Sequence, residues 1–273
     1  MNVKNSKSKS LPIGIFDSGI GGLTVVRAIR QLLPCEDIIY LGDTARVPYG
    51  TKSPETVIQF AREDARFLLR QRVKAIVVAC NTVSAWALPE LERICNAPVF
   101  GVIEPGVSSA LKRTKNYRIG VIGTNATINS RSYTAAIMAR VKKAKVFAKA
   151  CPLLVPLVEE GWINHKVTRE VLSIYLKPLL NKNIDTLVLG CTHYPLLKSE
   201  IKKITGTEIA LVDSAQSCAE SVKVKLENRG LLHPSTDRKG SVTVYVTDAP
   251  EHFTRLADRF LGSALKTAWK AEL

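Results

Sequence analysis

Short apolar, β-branched runs recur along the chain, separated by longer stretches of mixed polarity. The runs at 13–16, 38–41, 75–78, 99–102, 119–122, 146–148, 186–189, 210–212 and 242–246 predict strands. Between them, 23–33, 54–72, 130–140, 169–180 and 251–261 place apolar residues three and four apart, which predicts helices. Strands alternating with helices mean βαβ units and a mainly parallel sheet. Ligands of such sheets sit at the carboxyl ends of the strands, so the residues just past each run carry the interest.

Those positions show an internal echo. Ile13-Gly-Ile-Phe-Asp-Ser18 aligns with Ile119-Gly-Val-Ile-Gly-Thr124. Val47-Pro48 aligns with Val155-Pro156, and Ile76-Val-Val-Ala-Cys-Asn81 with Leu187-Val-Leu-Gly-Cys-Thr192, in the same order and at nearly constant spacing. The expected fold class is therefore α/β: two similar α/β domains, with mainly parallel sheets, facing across a cleft. Such a cleft is a common ligand site.

Composition narrows the class. The 273 residues are 46% hydrophobic and 23% charged, ordinary globular material rather than a collagen-like, disordered or disulfide-scaffold chain. No apolar run approaches the roughly 20 residues a bilayer requires, so no membrane partner is expected. The polar first ten residues are followed by no apolar stretch, so no secretory signal is read. The six cysteines are scattered, without C-x-x-C or zinc-ligand spacing, which suits reduced thiols in a cytoplasmic protein with no metal.

The net charge is +15, and residues 105–213 hold +10 of it, around Arg140, Lys142, Lys143, Lys145 and Lys149. A basic face draws anionic ligands. No nucleic-acid signature accompanies it, so a solvated surface is the better reading and a nucleic-acid partner is not expected.

The chemistry concentrates on Cys80 and Cys191. Each follows a small residue at a strand end and precedes polar donors: Ala79-Cys80-Asn81-Thr82 and Gly190-Cys191-Thr192-His193. Either thiol alone reads as a buried structural cysteine. As a matched pair they suit a two-base reaction, in which one thiolate removes a proton from carbon and the opposite thiol donates one. Backbone N–H groups at a strand-to-helix loop are expected to lower the thiol pKa and to hold a carboxylate. His193 reads as a structural histidine or as a partner of Cys191. The loop Asp17-Ser18-Gly19-Ile20-Gly21-Gly22 fits neither G-x-G-x-x-G nor a P-loop. Asp17 reads as a helix cap, an ammonium partner or an aid to a thiol. Gly42-Asp-Thr-Ala-Arg-Val-Pro-Tyr-Gly50 is a polar loop that can line the pocket.

These segments, with Gly123-Thr-Asn-Ala-Thr127 and Gly190-Cys-Thr-His-Tyr-Pro195, resemble the motif set of the glutamate racemase family from about residue 12 to the end. The resemblance implies a cofactor-independent isomerase that interconverts L- and D-glutamate and supplies D-glutamate for peptidoglycan in the cytoplasm. It implies Cys80 as the base for D-glutamate, supported by Asp17, and Cys191 as the base for L-glutamate, supported by Glu159 and His193. Asp17, Ser18, Tyr49, Gly50, Asn81, Thr82, Thr192 and His193 would hold the substrate, with Thr124 and Thr127 as further contacts. The chain would return to its first domain near Asp213-Ser214, giving 1–104 plus 214–273 as one domain, with 1–11 a disordered tail, and 105–213 as the other. Val47, where the family more often has an aromatic or other apolar residue, and the lysine-bearing tail depart from the pattern. Aspartate or another anionic amino acid is the alternative substrate. A one-cysteine hydrolase using Cys191 and His193 is the alternative chemistry. Oligomeric state is left open, a homodimer included.

Overall fold

Fully buried strands need apolar residues on both faces, and the runs at 13–16, 75–78 and 186–189 supply them. In the computed structural model, which describes residues 8–273, these become Ile13–Asp17 (β1), Ala75–Val78 (β3) and Thr186–Gly190 (β7), each buried along its whole length. The other strands are Ile38–Gly42 (β2), Val99–Gly101 (β4), Arg118–Gly123 (β5), Lys145–Ala150 (β6), Ala210–Asp213 (β8), Val242–Val246 (β9) and Ala268–Lys270 (β10).

They form two sheets. One has six strands in the order β10-β9-β2-β1-β3-β4, and the other four in the order β6-β5-β7-β8. Every pairing is parallel. The order β2-β1-β3-β4 within the first sheet repeats as β6-β5-β7-β8 in the second, which is the internal echo of the sequence made physical. β1 and β3 are the inner strands of one copy, β5 and β7 those of the other. β6, at a sheet edge, keeps Lys145 exposed.

Two helices join the halves. Ile103–Arg113 leads from β4 into the second sheet, and Ser214–Asn228 leads back out of β8. Ser214–Asn228 lies against both Ile103–Arg113 and Leu23–Leu32. It starts cleanly because Asp213 Oδ1 accepts the N–H groups of Ala215 (2.8 Å) and Gln216 (3.4 Å).

Of the tail expected over 1–11, residues 1–7 lie outside the described residues. From Ser8 onward the chain is not loose: Ser8 and Lys9 are helical, and the Lys9 carbonyl accepts from Lys74 Nζ at 2.7 Å. The same ammonium forms a buried ion pair with Glu36 at 2.5 Å. Among the described residues, no helix is long and apolar enough to cross a membrane.

Candidate active site

The parallel order of both sheets puts the critical loops on one edge of each. Asp17 ends β1, Cys80 follows β3, Thr124 follows β5 and Cys191 follows β7. Those edges enclose a cavity of about 400 Å³. Ser18, Tyr49, Gly50, Cys80, Asn81, Thr82, Thr124, Glu159, Cys191, Thr192 and His193 all line it. Both thiols are nearly buried, each 6% exposed. Asp17 and Thr127 are not among the lining residues and are both buried.

On one side, His193 Nδ1 lies 3.9 Å from Cys191 Sγ and its Nε2 lies 2.9 Å from Glu159 Oε1. Burial works against a charged imidazole, but the contacts with Cys191 and Glu159 outweigh it and raise the His193 pKa from 6.5 to about 10. At neutral pH the ring is therefore an imidazolium, with one N–H toward sulfur and one toward carboxylate. Glu159 does this rather than its neighbour Glu160, which faces outward.

The other side has the opposite character. Cys80 Sγ donates to Ser18 Oγ at 3.6 Å. Burial, then the negative charge of Asp17, pushes its thiol from 9.0 to about 12. The expectation that the strand-to-helix loop lowers a thiol pKa fails for Cys80. A backbone hydrogen bond from Val83 pulls in the expected direction, but burial is the larger effect. Asp17 sits directly behind. Its Oδ2 accepts the Gly22 N–H at 2.7 Å, but Gly22 is itself the N-cap of Leu23–Leu32 and that cap has no side-chain hydrogen bond, so Asp17 is not the helix's N-cap. Its Oδ1 has no hydrogen-bond partner among the described residues. Burial raises the Asp17 pKa, while the nearby His193 cation draws it down.

Hydroxyls connect the halves across the cavity. Thr82 Oγ1 lies 2.9 Å from Thr124 Oγ1 and 3.2 Å from Thr127 Oγ1, and Thr124 donates to Thr127 at 3.0 Å. Thr127 thus braces Thr82 and Thr124 from behind. The Asn81 side chain is held at both ends, accepting from Tyr133 Oη (2.7 Å) and donating to Ser214 Oγ (3.4 Å). That leaves its backbone N–H as the group free of side-chain duties. The Tyr49 hydroxyl points away from ligand space, donating to Asp43 and, at 3.3 Å, to Asp64. Arg46 bridges Asp43, Glu63 and Asp64 beneath the same loop.

Opposed thiols on matched strand ends are a chemical pattern that can be compared with known proteins. The sequence profile described as Asp/Glu/Hydantoin racemase matches residues 14–222. The chain belongs to that family. Within this racemase family it is 48% identical over 270 residues to the glutamate racemase of Syntrophus aciditrophicus, covering 98% of this chain and 100% of that one. A crystal structure of a glutamate racemase isoform from Bacillus anthracis superposes with a TM-score of 0.93 at 40% identity, covering 97% of this chain and 98% of that one. The Francisella tularensis glutamate racemase, solved in complex with D-glutamate, gives 0.89 at 41% identity, again over 97% and 98%.

Some of this racemase's cavity wall was given no site role in the sequence, though most of it lies in segments quoted there. Gly19, Val47, Pro48, Thr51, Asn125, Pro152, Val155 and Pro156 also line it. The Val47-Pro48 and Val155-Pro156 echo carried a signal for four of them. Thr24 and Phe260 gave none. Thr24 Oγ1 donates to the Thr192 carbonyl at 3.0 Å, and the Phe260 ring meets the His193 ring edge-to-face at 5.3 Å. Both sit in amphipathic helices, where a buried residue reads only as core. Among the described residues, no three His, Cys, Asp or Glu side chains converge where they could hold a metal ion.

Proposed function

We propose that the protein interconverts L- and D-glutamate by proton transfer between two thiols. The observation that carries this is Cys80 and Cys191 lining one cavity from equivalent strand ends of two matched sheets. In the L-to-D direction the Cys191 thiolate, beside the His193 imidazolium, takes the α-proton. The Cys80 thiol gives its own proton to the opposite face of the carbanion. Atoms and charge balance: one proton leaves carbon for Cys191 and one leaves Cys80 for carbon. The reverse direction exchanges the roles, with Asp17 supporting Cys80 from behind. The resting asymmetry of the site, a protonated Cys80 and a cation beside Cys191, suits binding of the L-isomer.

The substrate α-carboxylate makes its carbanion unfavourable, so donors must neutralise it. Ser18, Thr82, Thr124, Thr192, and the backbones of Tyr49, Gly50 and Asn81 are assigned that work, with Thr127 as brace. Identity of about half the residues to curated glutamate racemases supports glutamate over aspartate as substrate. The reading places the enzyme in the cytoplasm, supplying D-glutamate for peptidoglycan. It divides the chain into 1–104 with 214–273 and 105–213, a division that sheet membership supports.

The test is incubation with L-glutamate in D₂O, without added cofactor. α-Deuterium and the D-isomer should appear together, and Cys80→Ser and Cys191→Ser should each lower turnover by about 10²-fold or more. Retained turnover in the folded Cys80→Ser variant would point instead to a single-cysteine reaction at Cys191.

A further inference from the structure

Helix Pro250–Leu261 packs on Leu23–Leu32 and beside β9 and β10, so it belongs with the six-stranded sheet. Two consecutive residues on it reach across to the other half. Arg259 Nη1 donates to the Val158 carbonyl at 3.0 Å and to the Glu159 carbonyl at 2.9 Å. These carbonyls belong to the last turn of Leu154–Glu159, where a cation is favoured; the Val158 carbonyl also accepts the Gly161 N–H at 3.1 Å. Phe260, fully buried, packs its ring against His193 at 5.3 Å and 82°. Arg259 therefore holds the backbone of Glu159, while Phe260 holds the ring that Glu159 bonds.

The chain around Glu159 is shaped for this contact. Gly161 has φ +81°, and a Cβ there would lie 2.8 Å from Arg259 Nη2. Arg259 is itself exposed, so its two hydrogen bonds are not a by-product of core packing. From these contacts we infer that Arg259 and Phe260 are positioning residues for the Cys191 half of the reaction, setting the Cys191–His193–Glu159 alignment from the opposite side of the cleft. The inference rests on the two-thiol reading. It adds that the base for L-glutamate is aligned by an element of the half that carries Cys80.

A racemase has an equilibrium constant of one, so kcat/KM must change equally in the two directions and cannot reveal which thiol was disturbed. Primary isotope effects can. A misaligned Cys191 makes its own proton transfer more rate-limiting. Removal of deuterium from L-[2-²H]glutamate, which goes to Cys191, then shows a larger effect on kcat/KM. Removal from D-[2-²H]glutamate, which goes to Cys80, shows a smaller one.

The experiment compares wild type with Arg259→Gln, Arg259→Lys and Phe260→Leu. Arg259→Gln and Phe260→Leu should lower kcat/KM by about tenfold in both directions. The isotope effect should rise with labelled L-glutamate and fall with labelled D-glutamate. The alkaline limb of the rate profile should move to lower pH as Glu159 loosens from His193. Arg259→Lys, which keeps a donor cation, should recover part of each change. Isotope effects that move together or stay fixed in Arg259→Gln, whose side chain contributes little to the core, would overturn the inference. Cys191→Ser separates the two levels. If it retains turnover, the two-thiol reading itself fails. If it is inactive while the isotope effects stay symmetric, only the positioning role fails.

Discussion

At Gly21 a Cβ would lie 2.3 Å from Thr192 Oγ1 and 2.4 Å from His193 Nδ1, closer than real contacts allow. The backbone of the glycine-rich loop thus touches the opposite half of the molecule directly, with His193 on one side and Thr24 anchoring the Thr192 carbonyl on the other. Gly21→Ala should displace His193 and cut turnover by about 100-fold, a cost typical of small misplacements near reacting groups. Its stability cost, read from urea unfolding, should be roughly 1–3 kcal/mol, as for other overpacked sites. A fully active variant would mean the loop yields without moving the imidazole. Residue type and the matched strand ends singled out Cys80, Asn81, Thr82, Cys191, Thr192 and His193, which line the cavity, whereas Thr124 and Glu159 came only with the family resemblance. Cysteine, histidine, threonine and asparagine at strand ends announce polar work where apolar packing would be expected. What type could not convey was environment. Cys80 and Cys191 have nearly the same local sequence, yet one faces a buried carboxylate and the other an imidazolium. Asp17 comes from a distant segment, and although His193 lies two residues from Cys191, the Glu159 that holds its ring does not.

At the scale of elements, the apolar runs located nine strands, six of them inner strands and three, β4, β6 and β8, sheet edges. β10 escaped because Ala268–Lys270 is only three residues long, with Trp269 and Lys270 exposed and no alternation to read. Helix Ile103–Arg113 was obscured by Pro105 and Gly106. Pro105 falls in the first turn, where its missing N–H breaks no helical bond. The return helix Ser214–Asn228 depends on the Asp213 cap described above. Asp213→Ala should lower the unfolding free energy by about 1 kcal/mol at unchanged m, whereas Asp213→Asn, which keeps the acceptor, should lower it less. The ion pair of Asp213 with Lys198 at 2.5 Å is partly exposed on the lysine side and adds little. Equal losses in the two variants would show that the ion pair, and not the cap, holds this end of the helix.

For the whole molecule, the site couples folding to pH. The folded state holds the His193 proton to about pH 10, against an ordinary value of 6.5. Between these values the native state binds more protons than the unfolded chain. The stabilisation is therefore complete below about pH 6.5 and is lost as pH rises through about 10. Cys80, raised from 9.0 to about 12, steepens the loss above pH 9. Urea midpoints should fall from pH 6.5 to 9 in the wild type, and this fall should be shallower in His193→Asn. An identical slope in both would mean that the unfolding transition does not sense the imidazolium.

The pairing of β2 with β9, Ile38 opposite Val242, also sets an order of birth. A ribosome delivers β1 to β4 and then the entire four-stranded sheet before β9, the second neighbour of β2, exists. At ~5–20 residues per second that edge stays open for on the order of ten seconds or more. An open edge can pair with other chains, so the nascent polypeptide is most vulnerable while its second sheet is being made. Arg259 and Phe260 emerge later still, after β9. The newborn enzyme thus acquires the grip on its Cys191 side only after the second sheet and β9 have been made.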